Sequence, residues 1–474
     1  MDINTVTWHD YRRWLGDDTL APPNLPAPAL ADLATDSRTI SAGAWFIPLS
    51  GESFDGHRYV ATALARGAAG FFYAANRASE FSAAERARGL AVPDPLVALQ
   101  QAASGWRLQM PQLKLIALTG SAGKTTTKDM LAKILCKSGP TLATAANFNN
   151  EIGVAKTLQQ LLPQQRYAVL EFGARRPGNI EFLCALAHPD VACLLNVGQA
   201  HVGIFGSIEN LLATKLEIFR TSRAEAVQIA YFDDPRILAG AKATGKATLT
   251  FGLGPAADVR IEACDWLPNA SGMRVKLRAL DQTLAFEMGV AHAMFALNAA
   301  AATAMALAAG VDAQCITSGL NGFSGTSGRY QIHRQGHLTV IDDTYNANPE
   351  SMAAGLNTVS RSFQGRRLGI VVGNMLELGA NSEAEHRRIG LELLAPMRPE
   401  FIATVGDEAK GFAEGALAGG YPANRLTSFA TVEELLAAKM ALENRCDVVY
   451  IKGSNGVKLS KLVNVLTTAV AIST

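Results

Sequence analysis

The sequence has few cysteines, almost no net charge and no internal repeat. Its six cysteines are scattered, with no C-x-x-C pair and no zinc-ligand spacing. This distribution argues against a disulfide framework and predicts small buried residues in a reducing compartment. The formal net charge of +1 is not the basic balance of a dedicated nucleic-acid-binding protein, so we expect no nucleic-acid partner.

Two further absences concern the membrane. The N-terminus lacks a basic region followed by an apolar run, so no signal peptide is predicted. The stretch 289–311 carries no Asp, Glu, Lys or Arg and is long enough to span a bilayer. Nearly half of it is alanine, however, which is only weakly hydrophobic, and it contains His292, Asn298 and Thr303; this favours a buried helix of a soluble domain. We therefore expect a cytoplasmic protein without a membrane span, and a monomer.

The length and the pattern of elements predict several domains. A chain of 474 residues, 49% of them apolar, is too long for one ordinary core. Short apolar strands alternate with helical patterns, which predicts parallel, doubly wound sheets. Between 247 and 288 apolar and polar residues alternate instead, and this predicts an antiparallel annex. The predicted α/β fold has a small N-terminal domain at 1–110, a central doubly wound parallel sheet at 111–328 and a C-terminal Rossmann-like domain at 329–474.

A glycine-rich turn separates a predicted apolar strand from a predicted helix, which is the setting of a P-loop. Glycines let backbone N–H groups converge on phosphate oxygens at a helix N-terminus. Lys124 would reach the β- and γ-phosphates of ATP, and the Thr125 hydroxyl would bind Mg²⁺. Leu118 and Thr119 precede Gly120, so the usual first glycine of the longer form is missing. The predicted nucleotide-binding residues are Gly120, Ser121, Ala122, Gly123, Lys124, Thr125 and Thr126.

Other motifs are spread along the chain. A predicted strand ends at Glu171, and a carboxylate in that place beside a P-loop is a natural Mg²⁺ ligand. The other motifs are Asp36-Ser37-Arg38, Asn147-Phe148-Asn149-Asn150, the run from Asn196 to His201, Ala213-Thr214-Lys215-Leu216-Glu217, Gly328-Arg329 and Asp342-Asp343-Thr344-Tyr345-Asn346-Ala347-Asn348-Pro349. In this order they resemble the motifs of the Mur ligases of bacterial cell-wall synthesis, and the resemblance covers nearly the whole chain.

The resemblance implies a role for each motif. Contacts with a UDP-sugar are implied for Ser37, Arg38, Asn147, Asn149 and Asn150. Mg²⁺ would be bound by Thr125, Glu171, His201 and Lys215, and Lys215 would be carbamylated by CO₂. The implied catalytic residues are Lys124, His201 and Lys215. Further ATP contacts are implied for Asn298, Arg329 and Asp343, and contacts with an amine substrate for Tyr345 and Asn346.

Within the family, the run 342–349 is most similar to that of ligases that add D-alanyl-D-alanine. The implied reaction uses ATP and Mg²⁺ to join D-alanyl-D-alanine to UDP-N-acetylmuramoyl-tripeptide through an acyl phosphate, in peptidoglycan precursor synthesis. Two residues depart from the family pattern: Asn374 stands where Asp is usual, and Asn455 stands where Arg is usual. Both lie in the predicted third domain, where the amine would dock, and they leave its identity or affinity open.

Two alternatives differ in kind. One is a related Mur or folylpolyglutamate-type ligase that uses another amine, and the residues at 36–57 and 342–349 argue against it. The other is a nucleotide-binding protein without enzymatic activity. The intact set Lys124, Thr125, Glu171, His201 and Lys215 argues against this second alternative.

Overall fold

The computed structural model describes residues 6–51, 54–145, 148–198, 202–268, 271–438 and 445–468. In these ranges the strands form three larger sheets that follow one another along the chain. The α/β class and the three-domain arrangement are therefore confirmed, while the boundaries at 110 and 328 stay predictions. Within the described ranges, no helix combines the length and the apolar character that a membrane span requires.

The N-terminal unit is a small parallel sheet with helices around it. Its strands are β1 Leu33–Ala34, β2 Trp45–Phe46, β3 Ser50–Gly51, β4 Phe54–Asp55, β5 Gly70–Ala74 and β6 Gly89–Val92. Its helices are α1 Trp8–Leu15, α2 Val60–Ala65, α3 Ala83–Arg86 and α4 Pro95–Leu108. Four strands pair in parallel in the order β1-β2-β5-β6, and β3 and β4 form an antiparallel hairpin. Neighbouring side chains of β5 point to opposite faces, so Phe71 and Phe72 pack in different clusters.

The central unit is built on a sheet of nine described strands. They are β7 Lys114–Thr119, β8 Thr141–Ala143, β9 Tyr167–Glu171, β10 Val191–Leu194, β11 Val227–Tyr231, β12 Thr248–Gly252, β13 Val259–Trp266, β14 Met273–Ala279 and β15 Gln282–Met288. Their order is β15-β14-β13-β12-β11-β10-β7-β9-β8. Strand β7 therefore lies between β10 and β9, with helices on both faces of the sheet.

The predicted antiparallel annex differs from the structure in one respect. Strand β12 lies within the predicted annex but pairs in parallel with β11, and β13 pairs in parallel with β12. Among the described strands of this stretch, the antiparallel pairs are β13-β14 and β14-β15. They continue the main sheet because Phe251 of β12 is in register with Val259 of β13.

The helices of the central unit cover both faces of its sheet. They are α5 Lys124–Ser138, α6 Glu151–Leu158, α7 Asn179–Ala187, α8 Val202–Phe205, α9 Ile208–Lys215, α10 Glu217–Thr221, α11 Pro235–Lys242, α12 Ala293–Ala308 and α13 Ala313–Leu320. Helix α12 occupies the alanine-rich stretch 289–311, and the prediction of a buried helix is confirmed. Its alanines let it lie close to α5 and to the strands, because small side chains permit a short distance between backbones.

The C-terminal unit is a second α/β sheet. Its strands are β16 Gln331–Gln335, β17 Leu338–Asp343, β18 Leu368–Gly373, β19 Phe401–Val405, β20 Leu426–Phe429 and β21 Val448–Lys452. Their order is β16-β17-β21-β18-β19-β20, and all pairs except β16-β17 are parallel. Its helices are α14 Pro349–Ser362, α15 Ser382–Ile389, α16 Ala395–Met397, α17 Lys410–Ala418, α18 Val432–Ala437 and α19 Ser460–Thr468, with a π-helix at Gly390–Leu394.

The carboxyl ends of three central strands bring polar groups to one edge of the sheet. Strand β7 ends at the P-loop, β9 ends at Glu171, and Asn196 follows β10 by two residues. Parallel strands place their carboxyl ends at the same edge, where ligands commonly bind in open α/β sheets. The sheet topology therefore brings polar residues that are far apart in sequence to the same edge of the sheet.

A shared carboxylate anchors the last N-terminal helix to the central sheet. Arg107 of α4 is buried, and its Nη2 donates to Asp190 Oδ2 at 2.8 Å. The same oxygen accepts the N–H of Leu115 in β7, also at 2.8 Å. Arg223, which is far more exposed, donates to the other oxygen of Asp190 at 3.0 Å. One carboxylate thus joins a buried and a solvated cation at the start of the strand that leads into the P-loop.

These two arginines should differ strongly in their effect on stability. Arg107→Ala removes the buried partner of the half-buried Asp190 carboxylate and should destabilise the protein by about 3 kcal/mol. Arg223→Ala removes a solvent-exposed ion pair and should cost below about 1 kcal/mol. Thermal unfolding midpoints of both variants measure the difference. Equal losses for the two variants would contradict the importance of the buried pair.

Candidate functional site

A cleft of about 970 Å³ lies between the central and C-terminal units. It opens at the edge of the central sheet where β7 and β9 end. Most residues predicted from the sequence line this cleft. They are Ser121, Ala122, Gly123, Lys124, Thr125, Thr126, Asn149, Asn150, Glu171, Lys215, Asn298, Arg329, Asp343, Tyr345 and Asn346.

Five predicted residues are not part of that lining. Gly120 is buried behind the loop. Ser37 and Arg38 belong to the N-terminal unit, where Arg38 is exposed and forms an ion pair with Asp36 at 2.8 Å. Asn147 and His201 lie outside the described residues. Their predicted roles, like those of the other site residues, stay predictions.

The P-loop has a backbone conformation that one of its glycines requires. Gly123 has φ +79°, in the left-handed region, and begins helix α5. A Cβ at Gly123 would lie 2.5 Å from Asn298 Oδ1, so both the conformation and the space demand glycine. The hydroxyl of Ser121 is buried and has no hydrogen-bond partner among the described residues. The first four N–H groups of a helix also lack partners within the helix. The turn therefore holds unused donors at a helix N-terminus.

Two lysines meet at a single carbonyl of the loop. Lys124 Nζ donates to the carbonyl of Gly120 at 2.8 Å, and Lys215 Nζ donates to the same oxygen at 3.0 Å. Burial lowers the pKa of Lys124, and the nearby Arg329 lowers it further. Burial holds the pKa of Lys215 well below its usual range, and Lys124 adds to the effect. Lys215 is therefore a buried amine with a strong tendency to be neutral.

The Glu217 carboxylate, two residues after Lys215, helps to position this lysine. Lys215 is the last residue of α9, and Glu217 begins α10. The buried Glu217 side chain accepts the N–H of Gly178 at 2.8 Å and that of Glu181 at 3.1 Å, at the N-terminus of α7. A carboxylate at a helix N-terminus is favourable. The Lys-x-Glu spacing therefore fixes the end of α9, and with it the lysine, against the sheet.

Glu171 is the carboxylate at the centre of the cleft. Its Oε2 accepts a hydrogen bond from the Thr125 hydroxyl at 2.7 Å, and its Oε1 accepts one from the Asn149 amide at 2.9 Å. Arg329 of the C-terminal unit donates to the same Thr125 hydroxyl at 2.8 Å. Asn150 instead caps helix α6, because its Oδ1 accepts the N–H of Gly153 at 2.8 Å. These bonds orient a hydroxyl and a carboxylate toward each other, which is an oxygen-rich arrangement.

Asp343 is the corresponding carboxylate of the C-terminal unit. Its Oδ2 accepts hydrogen bonds from Lys452 Nζ and from the Tyr450 hydroxyl, each at 2.8 Å. His292 lies close by and lines the cleft. Burial lowers the pKa of His292 to about 4, although Asp343 opposes the shift. The imidazole is therefore neutral at physiological pH.

The far end of the cleft carries the residues predicted to face an amine. The guanidinium of Arg329 lies 4.0 Å from the centre of the Tyr345 ring, and the Asn346 carbonyl accepts a bond from Lys452 at 3.1 Å. Asn455 lines the cleft, whereas Asn374 does not. Asn374 Oδ1 accepts the N–H of Ala409 at 2.8 Å, a bond that an aspartate would also accept. The Asn374 departure therefore falls on a contact inside the C-terminal unit.

The two units touch through glycines beside the cleft. A Cβ at Gly203 of α8 would lie 2.8 Å from the Gly379 nitrogen and 3.0 Å from the Glu377 carbonyl oxygen. Gly379 and Glu377 both have positive φ, at +60° and +69°. This contact sets Leu376 and Glu377 against the cleft, which they line.

Several cleft residues were not predicted from the sequence. Lys452 lines the cleft, and Asn196 bonds to the P-loop from outside the lining, but the sequence analysis assigns a role to neither. His292 was interpreted only as part of a buried helix. Arg175 and Glu377 line the cleft without a local signal, because a charged residue in a loop is typical of any surface.

Three protein-family models match the chain one after another. The model described as "Mur ligase family, catalytic domain" matches residues 31–107. The "Mur ligase middle domain" matches residues 118–306, and the "Mur ligase, glutamate ligase domain" matches residues 328–455. The matched ranges follow the three sheets.

Individual proteins resemble the chain over nearly its whole length. A UDP-N-acetylmuramoyl-tripeptide–D-alanyl-D-alanine ligase from Bacillus subtilis is 33% identical, covering 94% of this chain and 95% of its own. A crystal structure of MurF from Acinetobacter baumannii matches with a TM-score of 0.85 and 32% identity, covering 98% of each chain. MurF ligase from Thermotoga maritima in complex with ADP matches with a TM-score of 0.79 and 25% identity, covering 94% of this chain and 99% of that one.

Replacing Lys215 with Met should stabilise the ligand-free protein in CO₂-free buffer at neutral pH. Burial, together with Lys124, lowers the pKa of this amine in the folded protein, whereas the unfolded chain keeps the ordinary value, so the unfolded state binds more protons. Stability rises with pH wherever the unfolded state binds more protons. The melting temperature of Lys215→Met should therefore exceed that of the wild type most at low pH, and the excess should disappear near pH ~10.4, the ordinary lysine pKa.

The exposed lysine at the end of α11 provides the control for this measurement, because Lys242→Met should show no such dependence on pH. A Lys215→Met variant that is less stable than the wild type across the whole pH range would contradict a lowered Lys215 pKa that costs stability.

Proposed function

The chain belongs to the Mur ligase family, and from this membership we propose how its cleft works. It is an ATP-dependent ligase that forms an amide bond. It joins D-alanyl-D-alanine to UDP-N-acetylmuramoyl-tripeptide in peptidoglycan precursor synthesis and releases ADP and phosphate. The observation that carries this function is that full-length relatives with that activity are about one-third identical to the chain, at 33% and 30%.

ATP is assigned to the P-loop and to the facing edge of the C-terminal unit. The turn offers helix N-terminal N–H groups, the unpartnered Ser121 hydroxyl and the Lys124 amine to phosphate oxygens. Asn298 lies against Gly123 and would contact the adenine, as the family resemblance implies. Asp343 would bind the ribose, and Arg329 would reach the γ-phosphate from across the cleft. The described donors fit an anionic, nucleotide-sized ligand.

Mg²⁺ fits the oxygen-rich pair formed by Thr125 and Glu171, since this ion takes few protein oxygens and is completed by phosphates and water. When bound, it would polarise the phosphate oxygens and offset their charge. Asn149 would hold Glu171 in place through the bond to Oε1. We also assign His201 and a carbamylated Lys215 to the metal site, as the family resemblance implies.

Carbamylation of Lys215 agrees with its surroundings. A neutral amine attacks CO₂, one proton is released, and the product is an anionic carbamate. Only the unprotonated amine reacts, and burial beside Lys124 favours that form. A negative group at this position would also offset the positive charge of Lys124.

The proposed sequence of steps is the one that the family resemblance implies. The terminal carboxylate of the tripeptide attacks the γ-phosphorus of ATP, the bond to the bridging oxygen breaks, and ADP leaves. The amine of D-alanyl-D-alanine then attacks the acyl phosphate carbonyl, an amide forms, and phosphate leaves with a proton lost from the nitrogen. Lys124 and Arg329 stabilise the charge that develops on the transferred group.

The long UDP-linked substrate would extend from the N-terminal unit to the cleft. We assign Ser37, Arg38 and Asn147 to its UDP-sugar part, and Asn149 and Asn150 to its end at the cleft. Tyr345 and Asn346 would face the dipeptide. This arrangement corresponds to the proposed division into a UDP-sugar-binding domain at 1–110, an ATP-binding domain at 111–328 and a ligase domain at 329–474. We further propose that the enzyme is a cytoplasmic monomer.

Mass analysis of reaction products tests the function. With UDP-N-acetylmuramoyl-tripeptide, D-alanyl-D-alanine and MgATP, we expect the UDP-linked pentapeptide and one ADP for each amide formed. Lys124→Ala is the matched control and should form no product while its melting temperature stays within a few degrees of the wild type. Parallel reactions with other cell-wall amines and with folate plus glutamate test the related ligases. Product from one of those reactions alone would assign the enzyme to another substrate.

Chemical rescue tests the carbamate. Lys215→Ala should lose nearly all ligase activity, and acetate should restore part of it because a small carboxylate can occupy the vacated anion position. Methylamine should not restore activity. Rescue by methylamine alone would mean that the lysine acts as a cation.

A further inference from the structure

Asn196 makes an unusual number of hydrogen bonds to the P-loop. Its Oδ1 accepts the N–H of Ser121 at 3.0 Å and the N–H of Ala122 at 2.9 Å. Its Nδ2 donates to the Ala122 carbonyl at 3.0 Å, and its own carbonyl accepts the Ser121 N–H at 3.1 Å. The residue comes from the loop after β10, about 75 positions away in sequence. One side chain therefore binds two consecutive peptide groups of the loop.

These bonds decide which loop groups face the cleft. The N–H groups of Ser121 and Ala122 are taken up by Asn196, so a phosphate must use the donors from Gly123 onward at the start of α5. The Ala122 carbonyl is turned to the Asn196 amide, and the Gly120 carbonyl is turned to Lys124 and Lys215. Both carbonyls are thereby kept from presenting partial negative charge to an anion.

The bonds also compensate for a feature of the sequence. The loop is short and lacks the first glycine of the longer P-loop form, so fewer of its own residues can set its shape. Gly120 is close to the segment that follows β10, since a Cβ there would lie 3.0 Å from Leu195 Cβ and 3.5 Å from the Asn196 nitrogen. This neighbouring segment therefore restrains the loop from outside, where a longer loop would be restrained by its own residues.

We propose that Asn196 is a positioning residue for the ATP-dependent step: its side chain holds the P-loop in the shape that accepts phosphate. It acts through Ser121 and Ala122 and does not touch the reacting atoms. The proposal rests on the proposed function for its ATP part, whereas its structural part concerns the ligand-free loop and can be measured without nucleotide.

The experiment compares three variants of the full-length enzyme. Asn196→Ala removes all side-chain bonds to the loop. Asn196→Asp keeps an acceptor for both N–H groups but loses the donor to the Ala122 carbonyl and places a negative charge beside the phosphates. Gln228→Ala is the matched control. Gln228 lies on β11, away from the cleft, and its fully buried amide donates to the Phe219 carbonyl and the Thr244 hydroxyl.

The first measurement is hydrogen–deuterium exchange of a peptide spanning the P-loop, without nucleotide. Asn196→Ala should exchange at least about tenfold faster there, the effect of losing roughly one net hydrogen bond. Asn196→Asp and Gln228→Ala should exchange at the wild-type rate. Unchanged exchange in Asn196→Ala would overturn the structural part, and so would equally fast exchange in Gln228→Ala.

The second measurement is steady-state kinetics. Asn196→Ala and Asn196→Asp should raise KM for ATP at least about tenfold, while KM for the UDP-linked substrate stays within about twofold of the wild type. Parallel increases in both KM values, or no increase in either, would overturn the positioning role. If Asn196→Ala does not fold, Asn196→Ser, whose uncharged side chain is too short to make all three side-chain bonds to the loop, replaces it in both measurements under the same criteria. A wild-type enzyme that does not use ATP would refute the proposed function and leave the exchange result to be judged separately.

Discussion

Two lysine side chains donate to one carbonyl oxygen, that of Gly120, in a partly dehydrated space where Glu171 provides negative charge. Positive charge in such a place is costly, because burial penalises ions that are not fully paired. The consequences are seen throughout the cleft. The pKa of each lysine is lowered, Thr125 and Asn149 hold the carboxylate in one orientation, and the loop presents donors without acceptors. An anionic ligand offsets this positive charge, so the same charges that lower the stability of the ligand-free protein favour phosphate binding.

The fold permits this concentration of charge because the apolar core and the polar groups of the cleft occupy different parts of the strands. Apart from the exposed Lys114 at the start of β7, strands β7, β9 and β10 are buried, and the polar groups of the cleft come at or just after their carboxyl ends. Below this edge, the pair formed by the buried Arg107 and the half-buried Asp190 fixes the start of β7. The C-terminal unit repeats the principle with its own carboxylate, Asp343, held by Lys452 and Tyr450 at the ends of neighbouring parallel strands. Two sheet edges then face each other across one cleft.

The features that the sequence predicted well are local ones. The strand, turn and helix of the P-loop are contiguous, and the buried helix α12 was visible as a run without charge. Other features depend on contacts between distant positions. Asn196 looks like any loop asparagine until the sheet order places β10 beside β7. The continuity of β13 with the main sheet rests on a short parallel register that no periodicity reveals. Similarly, the stretch Asn149–Asn150 suggested one shared role, whereas one residue orients Glu171 and the other caps α6.

The contact of Gly203 with Gly379 has a consequence for how the two units can separate. Neither residue has a side chain, so parting them changes no rotamer and releases no side-chain conformational entropy. Near the cleft the units are joined by packing of Tyr330 against His292 and by polar bonds such as the one from Arg329 to Thr125. That bond involves groups to which we assign the ligand. The position of the C-terminal unit and the occupancy of the cleft are therefore thermodynamically linked, with little contribution from the glycine contact itself.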